Sequence, residues 1–532
     1  MDGKGPIVAS RHGVVAAAHP LAAAAGARIL GRGGNAFDAA VAAAAALGVV
    51  EPFMSGLAGL GMATCWVAGD KRIRTLAYRT AVPQRFPVGR FSQREELLLG
   101  AMAVAPPGNL AGWYNLLSAH GTKTLAEVLA PAIGLARDGF PLTEFNTAGI
   151  NRSAVALRDQ PFFAAWNAAY ADGKGSVRQG QVLCQPDLAT TLEAIASEGV
   201  RYLYGGRLGQ KLVAHLQSLG GCMTVADLEA VAPDWDRPVS AAYRDLTVHT
   251  LRPPAQAFQF LLTLRILDGF NLGAMERDGV EHLDTVWRAV RLAAMERVAH
   301  DHPSADDLDH LLSDESVARL RARVADREPI EGKVGQWPAP ATGAAPEHHA
   351  TSLSVADRAG NLVCITQSLG GLFGCGVVVP GTGICLNNAL YWGELDPRAR
   401  NALAPGRVLS SPMAPAVATR GRAPVLAFGT PGGDGISQIQ PQALVQHVDF
   451  GLSLQEAIAA PRARLWDGRR VIAESRFPAG VLEALQERGH DIDLSSAWTI
   501  QVGGMQAVAA DPATGVLTGA ADPRRDGYVA TA

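Results

Sequence analysis

The sequence predicts a protein of the α+β class, because helical patterns fill most of the first half of the chain and a strand pattern begins at Thr351. An alanine-rich run after Asn35 predicts a helix that starts at this N-cap residue and stops at Glu51-Pro52. With this run, the first 150 residues are predicted to be largely helical. Further helices are predicted over 187–198 and 256–267.

A change of pattern divides the chain near residue 350. Between Arg327 and His349, repeated prolines and glycines disfavour both helix and sheet, so an exposed, mobile loop is predicted over 327–349. Residues 351–356 and 362–368 then read as two strands around a turn at 357–361, which predicts a β-hairpin. A cut in the loop would leave a new N-terminus at the edge of a sheet, as a self-processing enzyme requires. An ordinary interdomain linker is the alternative.

The composition argues against several classes of partner. The 532 residues include 47 Lys and Arg against 50 Asp and Glu, a formal charge of -3, and only 18% of residues are charged. This balance argues against nucleic acid or an anionic membrane as the main partner. The longest apolar run, 39–50, is shorter than the roughly 18 residues of a membrane-spanning helix. No export signal is recognisable, so we expect a cytoplasmic protein.

The sequence indicates neither a metal nor a nucleotide cofactor. Six cysteines are scattered without C-x-x-C pairs, so they are predicted to be reduced and mostly buried thiols. His348 and His349 are neighbours whose side chains diverge, and no third ligand stands at a useful spacing. The chain contains no phosphate-binding glycine motif and no G-x-S-x-G elbow. We therefore expect catalysis without metal or cofactor.

Motifs spread over nearly the whole chain point to one enzyme family. The first is HPLAAAAGARILGRGGNAFDAAVAAAAALGVVEPFMSG (19–56). The second half contains LSVADRAGNLV (353–363), FGCGVVVPGTGICLNN (373–388), LSSPMAP (409–415), TPGGDG (430–435), APRARL (460–465) and ADPRRDG (521–527). In these segments, and in their order, the chain resembles the γ-glutamyltranspeptidase family of N-terminal nucleophile hydrolases.

The resemblance implies a four-layer αββα sandwich and an inactive precursor that cuts itself into a large and a small chain. Residues 1–349 then form the large-subunit region, with the mobile loop 327–349 at its end, and residues 350–532 form the small-subunit region. Both regions build one composite catalytic domain. The expected partners are a small-molecule amide substrate and the two chains of one precursor, with further oligomerisation left open.

The chemistry of this class depends on a free N-terminus. A Thr or Ser hydroxyl is a weak nucleophile, and the α-amine of the same residue, with a pKa of about 8, can serve as its base at neutral pH. Backbone N–H groups must then hold the oxyanion. Gly432 and Gly433 match the oxyanion pair of the family, and glycine leaves the approach of the substrate unobstructed.

At the nucleophile position the chain departs from the family pattern. That pattern places the nucleophile seven residues before Asp357, which gives Ala350, where Thr is expected, followed by Thr351. Three interpretations are open: Ala350 was introduced to trap an uncleaved precursor, the chain is a natural inactive relative that binds an amide ligand, or Thr351 has taken over by a shift of one residue. Adjacent strand residues point to opposite faces, so a shift would aim Thr351 away from the pocket.

Other residues match family positions individually. Ser368 replaces a threonine whose hydroxyl supports the nucleophile and takes part in processing. Arg79 matches the arginine that holds the substrate carboxylate, a role suited to its planar fork of donors. Ser410 and Ser411 match the serine pair beside this carboxylate. Thr80 stands where the family usually has an acidic residue.

The acyl pocket is expected to differ from that of true γ-glutamyl enzymes. The position of their ammonium-binding aspartate falls on Trp392, and a second ligand of the amino group, an asparagine, falls on Gly370. A buried ammonium without a carboxylate partner loses on the order of several kcal/mol. The segment 366–368 is similar to family members that hydrolyse small carboxylated amides such as oxamate. We expect an amidohydrolase or acyltransferase for a carboxylated amide without an α-amine, and a true γ-glutamyl hydrolase or transpeptidase is the alternative.

Overall fold

The computed structural model describes residues 7–79, 81–335 and 349–532, which form two large antiparallel sheets with helices on either side. The strands are β1 (Val8–Ser10), β2 (Gly13–Ala17), β3 (Leu60–Val67), β4 (Arg72–Tyr78), β5 (Phe140–Pro141), β6 (Val182–Leu183), β7 (Asp234–Asp236), β8 (Val239–Tyr243), β9 (Leu246–Thr250), β10 (His349–Asp357), β11 (Leu362–Gly370), β12 (Val378–Val379), β13 (Ile384–Cys385), β14 (Ala416–Arg420), β15 (Ala423–Gly429), β16 (Ala463–Leu465), β17 (Arg470–Glu474), β18 (Asp491–Ser495), β19 (Gln506–Ala510), β20 (Leu517–Ala521) and β21 (Tyr528–Thr531). The helices are α1 (Pro20–Gly31), α2 (Ala36–Val50), α3 (Asn109–His120), α4 (Leu125–Asp138), α5 (Glu144–Leu157), α6 (Phe163–Ala171), α7 (Pro186–Glu198), α8 (Arg207–Ser218), α9 (Val225–Glu229), α10 (Phe258–Leu267), α11 (Val280–Ala299), α12 (Ala305–Leu311), α13 (Asp314–Ala325), α14 (Ile436–Val448), α15 (Leu454–Ala459) and α16 (Ala479–Glu487).

Each of the two large sheets combines strands from both halves of the chain. Within the described residues, the first sheet has the order β21-β2-β10-β11-β3-β4-β7, and the second has the order β1-β20-β19-β15-β14-β9-β8. The hairpin predicted from the sequence forms β10 and β11, which lie at the centre of the first sheet between β2 and β3. The segments on either side of residues 336–348 therefore contribute strands to the same sheets.

The two sheets pack face to face, and helices cover their outer faces. The layer between the sheets is filled mostly by small apolar side chains, among them Val14, Ala16, Ala356, Cys364, Val417, Ala427 and Val508. Helices α1 and α2 cover the first sheet, and α10, α11 and α14 cover the second. The order helix, sheet, sheet, helix confirms the predicted αββα sandwich.

The predicted helices are confirmed, but the first 150 residues contain more strand than expected. Helix α2 begins after Asn35, which caps it in a capping box, and ends at Glu51. Helices α7 and α10 match the predicted ranges to within two residues. Strands β2 and β3 were not expected, because both of their faces are buried and their sequences therefore lack the alternation that marks a half-exposed strand.

The segment predicted as an exposed, mobile loop is partly packed against the fold. Ile330 and Val334 are buried. The Arg297 guanidinium donates to the carbonyl of Val334 at 2.7 Å, and the amide of Val334 donates to Asp467 at 2.8 Å. The expectation of exposure is wrong at these two positions, because their apolar side chains are buried in the apolar cluster that also contains side chains of α10 and α11. Residues 336–348 lie outside the described residues, and for them the loop stays a prediction.

The cysteines are free thiols, and most of them are buried, as the sequence predicts. All six cysteines are unpaired, and four of them are buried: Cys65, Cys364, Cys375 and Cys385. No helix in the described ranges is both long enough and apolar enough to span a membrane.

Candidate active site

Ala350 and Thr351 lie on opposite faces of β10. On the face toward the second sheet, the Ser354 hydroxyl donates to the carbonyl of Gln506 at 3.1 Å. Strand alternation places Ala350 on this same face. On the other face, the Thr351 hydroxyl donates to Oε2 of Glu51 at 2.6 Å. Position 350, and not Thr351, is therefore directed toward the space between the sheets.

Hydrogen bonds hold the carbonyl groups on both sides of the Ala350 amide. The Ser368 hydroxyl donates to the carbonyl of His349 and accepts the amide of Gly370 at 2.7 Å. Arg525 donates from Nη1 to the carbonyl of Ala350 at 3.0 Å. A donor on the His349 carbonyl polarises the carbon that a hydroxyl on residue 350 would attack. The arrangement therefore suits cleavage of the 349–350 peptide bond.

A bulge in the ladder brings Ser368 to this position. His349 pairs with Gly370 and Thr351 pairs with Gln367, so one residue of β10 faces two residues of β11. Bulges of this kind re-aim side chains next to active sites. The extra residue in β11 lets the Ser368 side chain turn toward the beginning of β10.

A glycine loop after β15 offers backbone donors near the beginning of β10. Gly429, the last residue of β15, packs so closely on Ser352 that an added Cβ would lie 2.7 Å from its Oγ. Gly432 and Gly433 follow with φ angles of 138° and 57°, which favour glycine. Their amides donate to no acceptor within the described part of the chain. Two unused N–H groups just before α14 are suited to hold an oxyanion.

Arg79 follows β4 at the same end of the first sheet as Ala350. Tyr78 pairs with Gly61 of β3, and Gly61 pairs with Gln367 of β11, which in turn pairs with the start of β10. At about 4.8 Å per strand, the three spacings put the backbone of Arg79 roughly 14 Å from β10. A long arginine side chain and a small substrate together can bridge this separation.

Arg79 is half-buried, and two of its guanidinium nitrogens are buried with unused donors. Burial lowers the pKa of Arg79 to about 10, against the charges of Asp234 and Asp236, which raise it. Its Nε and Nη1 atoms have no hydrogen-bond partner among the described residues. A buried cation with unpaired donors is suited to receive a carboxylate, because the anion supplies both the charge and the acceptors that are missing.

The predicted serine pair lies in a buried turn before β14, next to a histidine that no sequence motif marks. The carbonyl of Ser411 accepts the amide of Gln256 at 2.8 Å, which fixes the turn. The Ser410 hydroxyl lies 3.5 Å from Nδ1 of His302. Burial lowers the pKa of His302, and the positive charge of Arg79 adds to this effect. His302 therefore lies beside Ser410, and the charge of Arg79 acts on it.

Trp392 ends a short 3-10 turn and is buried in an apolar cluster. The cluster includes Leu60, Val82, Leu97, Leu409 and Met413. The carbonyl of Trp392 accepts Nδ2 of Asn401 at 2.8 Å, and Oδ1 of Asn401 accepts the amide of Ser410 at 2.7 Å. Asn401 thus connects the turn that carries Trp392 to the predicted carboxylate-binding serine.

Glu394, the carboxylate nearest in sequence after Trp392, is already paired. Its Oε1 lies 2.6 Å from Nη2 of Arg94, and the Arg94 guanidinium lies over the ring of Tyr391. An ammonium group of a substrate would have to compete with this arginine. Glu394 is therefore a poor substitute for the aspartate whose family position is predicted to fall on Trp392.

The backbone at Gly370 leaves no room for a side chain. Its φ is +104°, and an added Cβ would lie 2.0 Å from Oδ1 of Asn388. This oxygen is itself held by the amide of Gly371 at 2.8 Å. The asparagine that the family pattern places here cannot be accommodated unless Asn388 moves, so the second ammonium ligand is also missing.

We expect Gly370→Ala to lower the free energy of unfolding by about 2–4 kcal/mol, because a strained φ and a collision with Asn388 add up. Gly421→Ala is the matched control, since Gly421 also has a positive φ but nothing lies within 4 Å of an added Cβ. Its expected cost is about 1 kcal/mol. Chemical denaturation measures both, and equal losses at the two positions would contradict the close contact.

The predicted site residues thus fall into two groups. Ala350 and Ser368 lie together at the 349–350 peptide bond. The glycine pair, Arg79, the serine pair and Trp392 lie on other elements and, within the described part of the chain, form no hydrogen bond with Ala350. Thr80 and His348 lie outside the described residues. Within the described ranges, no three His, Cys, Asp or Glu side chains form a group that could hold a metal ion. The expectation of catalysis without metal stays a prediction.

Known proteins similar to this chain share its length and fold. The Gamma-glutamyltranspeptidase family model matches residues 22–532. The Acylase ACY 1 proenzyme of Pseudomonas sp. (strain V22) is 36% identical over 98% of this chain and 94% of the relative. The glutathione hydrolase proenzyme of Bacillus subtilis is 30% identical over 97% and 91%, and the oxamate amidohydrolase proenzyme of Klebsiella pneumoniae is 31% identical over 98% of both chains. The crystal structure of cephalosporin acylase from Bacillus halodurans superposes with a TM-score of 0.90 at 31% identity, covering 100% of this chain and 97% of the other.

This agreement in fold places the αββα sandwich among the N-terminal nucleophile hydrolases. Within that class, the chain belongs to the gamma-glutamyltranspeptidase family. Its relatives are acylases, glutathione hydrolases and an oxamate amidohydrolase, and these relatives are named as proenzymes. The family assignment supports amidohydrolase chemistry for the chain.

Proposed function

We propose that this chain is the uncleaved form of a self-processing amidohydrolase or acyltransferase, with Ala350 standing at the position of its N-terminal threonine nucleophile. The observation that carries the proposal is the hydrogen bond from the Ser368 hydroxyl to the carbonyl of His349, one residue before Ala350. A buried donor on that one carbonyl has an evident use if residue 350 attacks it. The proenzyme names of the relatives agree with this use.

Processing requires a hydroxyl at position 350. Its oxygen would bond to the carbonyl carbon of His349 while the C–N bond breaks and the hydroxyl proton passes to the departing amine, which gives an ester. Water then hydrolyses the ester, leaving a carboxylate on His349 and a free hydroxyl and α-amine on residue 350. The α-amine becomes the base for the hydroxyl, and Gly432 and Gly433 would hold the oxyanion.

The substrate class follows from the charges around the pocket. Arg79 offers unused donors to a carboxylate. Trp392 stands where an ammonium would need an acid, Glu394 is occupied by Arg94, and Gly370 has no room for a side chain. An acyl group with a carboxylate and without an α-amine, such as a glutaryl or oxamyl group, therefore fits this site better than a γ-glutamyl group.

The substrate test uses the Ala350→Thr enzyme and compares kcat/KM for glutaryl and γ-glutamyl amides with the same leaving group. We expect the glutaryl amide to be preferred by about 100-fold or more, because an unpaired buried ammonium costs about 3 kcal/mol. Trp392→Asp should lower the ratio of the two kcat/KM values by about tenfold, whereas Trp392→Phe, the matched apolar control, should leave this ratio unchanged. A parent enzyme that prefers the γ-glutamyl amide rules out this description of the pocket.

Two alternative functions follow, one from the relatives and one from Ala350 itself. The glutathione hydrolase relative at 30% identity favours γ-glutamyl chemistry, and a native alanine at position 350 would favour a protein that binds an amide ligand without turnover. The substrate test separates the first of these from the proposal. The second predicts that the Ala350→Thr chain neither cleaves itself nor hydrolyses either amide, although the present chain binds glutaramate.

A further inference from the structure

Glu51 is a fully buried carboxyl group at the C-terminal end of α2, next to the beginning of β10. None of its surface is exposed. Its backbone terminates the helix, since its amide donates to the carbonyl of Leu47 and its own carbonyl accepts the amide of Met54, both at 2.8 Å. Burying a carboxyl group is costly unless its contacts offset the loss of hydration. What Glu51 contacts therefore indicates its role.

Two interactions lead from Glu51 to residue 350, one a hydrogen bond and the other an attraction between charges. The hydroxyl of Thr351 donates to Oε2 of Glu51 at 2.6 Å. Arg525, whose positive charge acts on Glu51, donates to the carbonyl of Ala350 at 3.0 Å. The first contact fixes the face of β10 on which residue 351 lies, and hence the opposite face for residue 350. The second fixes the carbonyl group of residue 350.

The charges that face Glu51 come from the C-terminal segment of the chain. Burial raises the pKa of Glu51 to about 7, while the positive charge of Arg525 and the hydrogen bond from Thr351 lower it and the charge of Asp526 raises it. Asp526 is itself bound by the hydroxyl of Thr143 at 2.6 Å. A carboxyl group with this pKa changes its charge near neutral pH, and here it does so while bonded to the hydroxyl of Thr351.

We propose that Glu51 is a positioning residue for the nucleophile: in its ionised form it accepts the hydrogen bond of Thr351 and attracts the charge of Arg525, and through these two residues it directs the side chain and the carbonyl group of residue 350. This inference rests on the proposed function, because it assigns a role in the reaction of a hydroxyl at position 350. In this role Glu51 acts on residue 350 only through Thr351 and Arg525.

The other end of α2 provides the matched control. Asp38 is as fully buried as Glu51, but its carboxylate accepts hydrogen bonds from the amides of Asn35 and Thr122, both at 2.8 Å. That end of the helix lies at the far end of β10, where the amide of Ala36 donates to Asp357 at 2.8 Å. Replacing Asp38 therefore changes an equally buried carboxylate on the same helix, at the end that is distant from residue 350.

The experiment follows self-cleavage of the Ala350→Thr chain by intact mass between pH 5.5 and 8.5. We expect the parent rate to rise through an inflection near pH 7, as Glu51 ionises. Glu51→Gln, which resembles the protonated form, should cleave at least tenfold more slowly at pH 8.5 and at nearly the parent rate at pH 5.5. Asp38→Asn should lack this pH-dependent difference, even if it lowers stability.

A second variant tests the contact from the side of the strand. Thr351→Val removes the hydrogen bond but keeps the carboxylate, and it should slow cleavage at pH 8.5. Because both changes break one contact, the double variant should be little slower than the slower single variant. If Glu51→Gln does not fold, the test rests on Thr351→Val and on the pH dependence of the cleavage rate of the Ala350→Thr parent. A parent rate without an inflection near pH 7 then overturns the role of Glu51.

Three results would overturn the proposal in distinguishable ways. If the Ala350→Thr parent does not cleave at any pH, the proposed function and the role of Glu51 fail together. If the parent cleaves and Glu51→Gln cleaves equally fast at pH 8.5, only the role of Glu51 fails. A loss of the same factor at pH 5.5 and 8.5 would make Glu51 a structural residue without a positioning role.

Discussion

The Ala350→Thr chain is expected to separate into fragments of residues 1–349 and 350–532, whereas the present chain stays intact. The reason is that Ala350 lacks the one group that the reaction needs, a hydroxyl next to the carbonyl of His349, while the donor from Ser368 is already in place. The measurement is intact mass spectrometry during prolonged incubation, with the present chain as the control. Cleavage elsewhere in 336–348 would contradict the assignment of the bond.

The same experiment distinguishes the three interpretations of Ala350. A fragment that begins at Thr351 in the present chain would mean that the nucleophile has shifted by one residue, against the hydrogen bond that holds Thr351 on Glu51. Ser368→Ala in the Ala350→Thr chain should slow cleavage by about 100-fold to 1,000-fold, the usual effect of removing one donor from a developing oxyanion. Unchanged cleavage in that variant would remove Ser368 from the processing step.

The predictable parts of the fold are those whose signals are local. The helix after Asn35 carries its own cap and its own stop, and the hairpin carries a turn between two strand-like runs. Strands β2 and β3 carry no such signal, because burial on both faces makes their sequences uniformly apolar. Apolar runs of this length are compatible with helix or strand until their neighbours are known.

The candidate site divides in the same way. Ala350 and Ser368 could be predicted by counting residues from the family motifs, and the glycine pair could be predicted from the motif TPGGDG itself. His302 and Glu51 could not, since each reaches the site through a tertiary contact and neither stands in a spacing that chemistry requires. The pairing of Glu394 with Arg94 was also hidden, because it joins two turns that are distant in the sequence.

Arg79→Met in the Ala350→Thr enzyme is expected to lower turnover without lowering stability. The kcat/KM for a glutaryl amide should fall by about 100-fold to 1,000-fold, because the substrate carboxylate loses a buried, charge-assisted partner worth about 3–4 kcal/mol. The free energy of unfolding should stay unchanged or rise by about 1 kcal/mol, because methionine replaces a half-buried cation with two buried donors that have no partner.

Steady-state kinetics and chemical denaturation on the same samples measure the two effects. The matched control is Arg72→Met at the start of β4, the strand that Arg79 follows, where the exposed arginine pairs with Asp70 at 2.9 Å. In this control the free energies of unfolding and of activation should each change by no more than about 0.5 kcal/mol. A butyryl amide, which has no carboxylate, should lose less than about tenfold on Arg79→Met. If the butyryl and glutaryl amides lose the same factor, Arg79 does not act through the substrate carboxylate. In that case the acidic acyl group must be bound elsewhere, and the hydroxyl of Ser410 with His302 beside it becomes the next group to test.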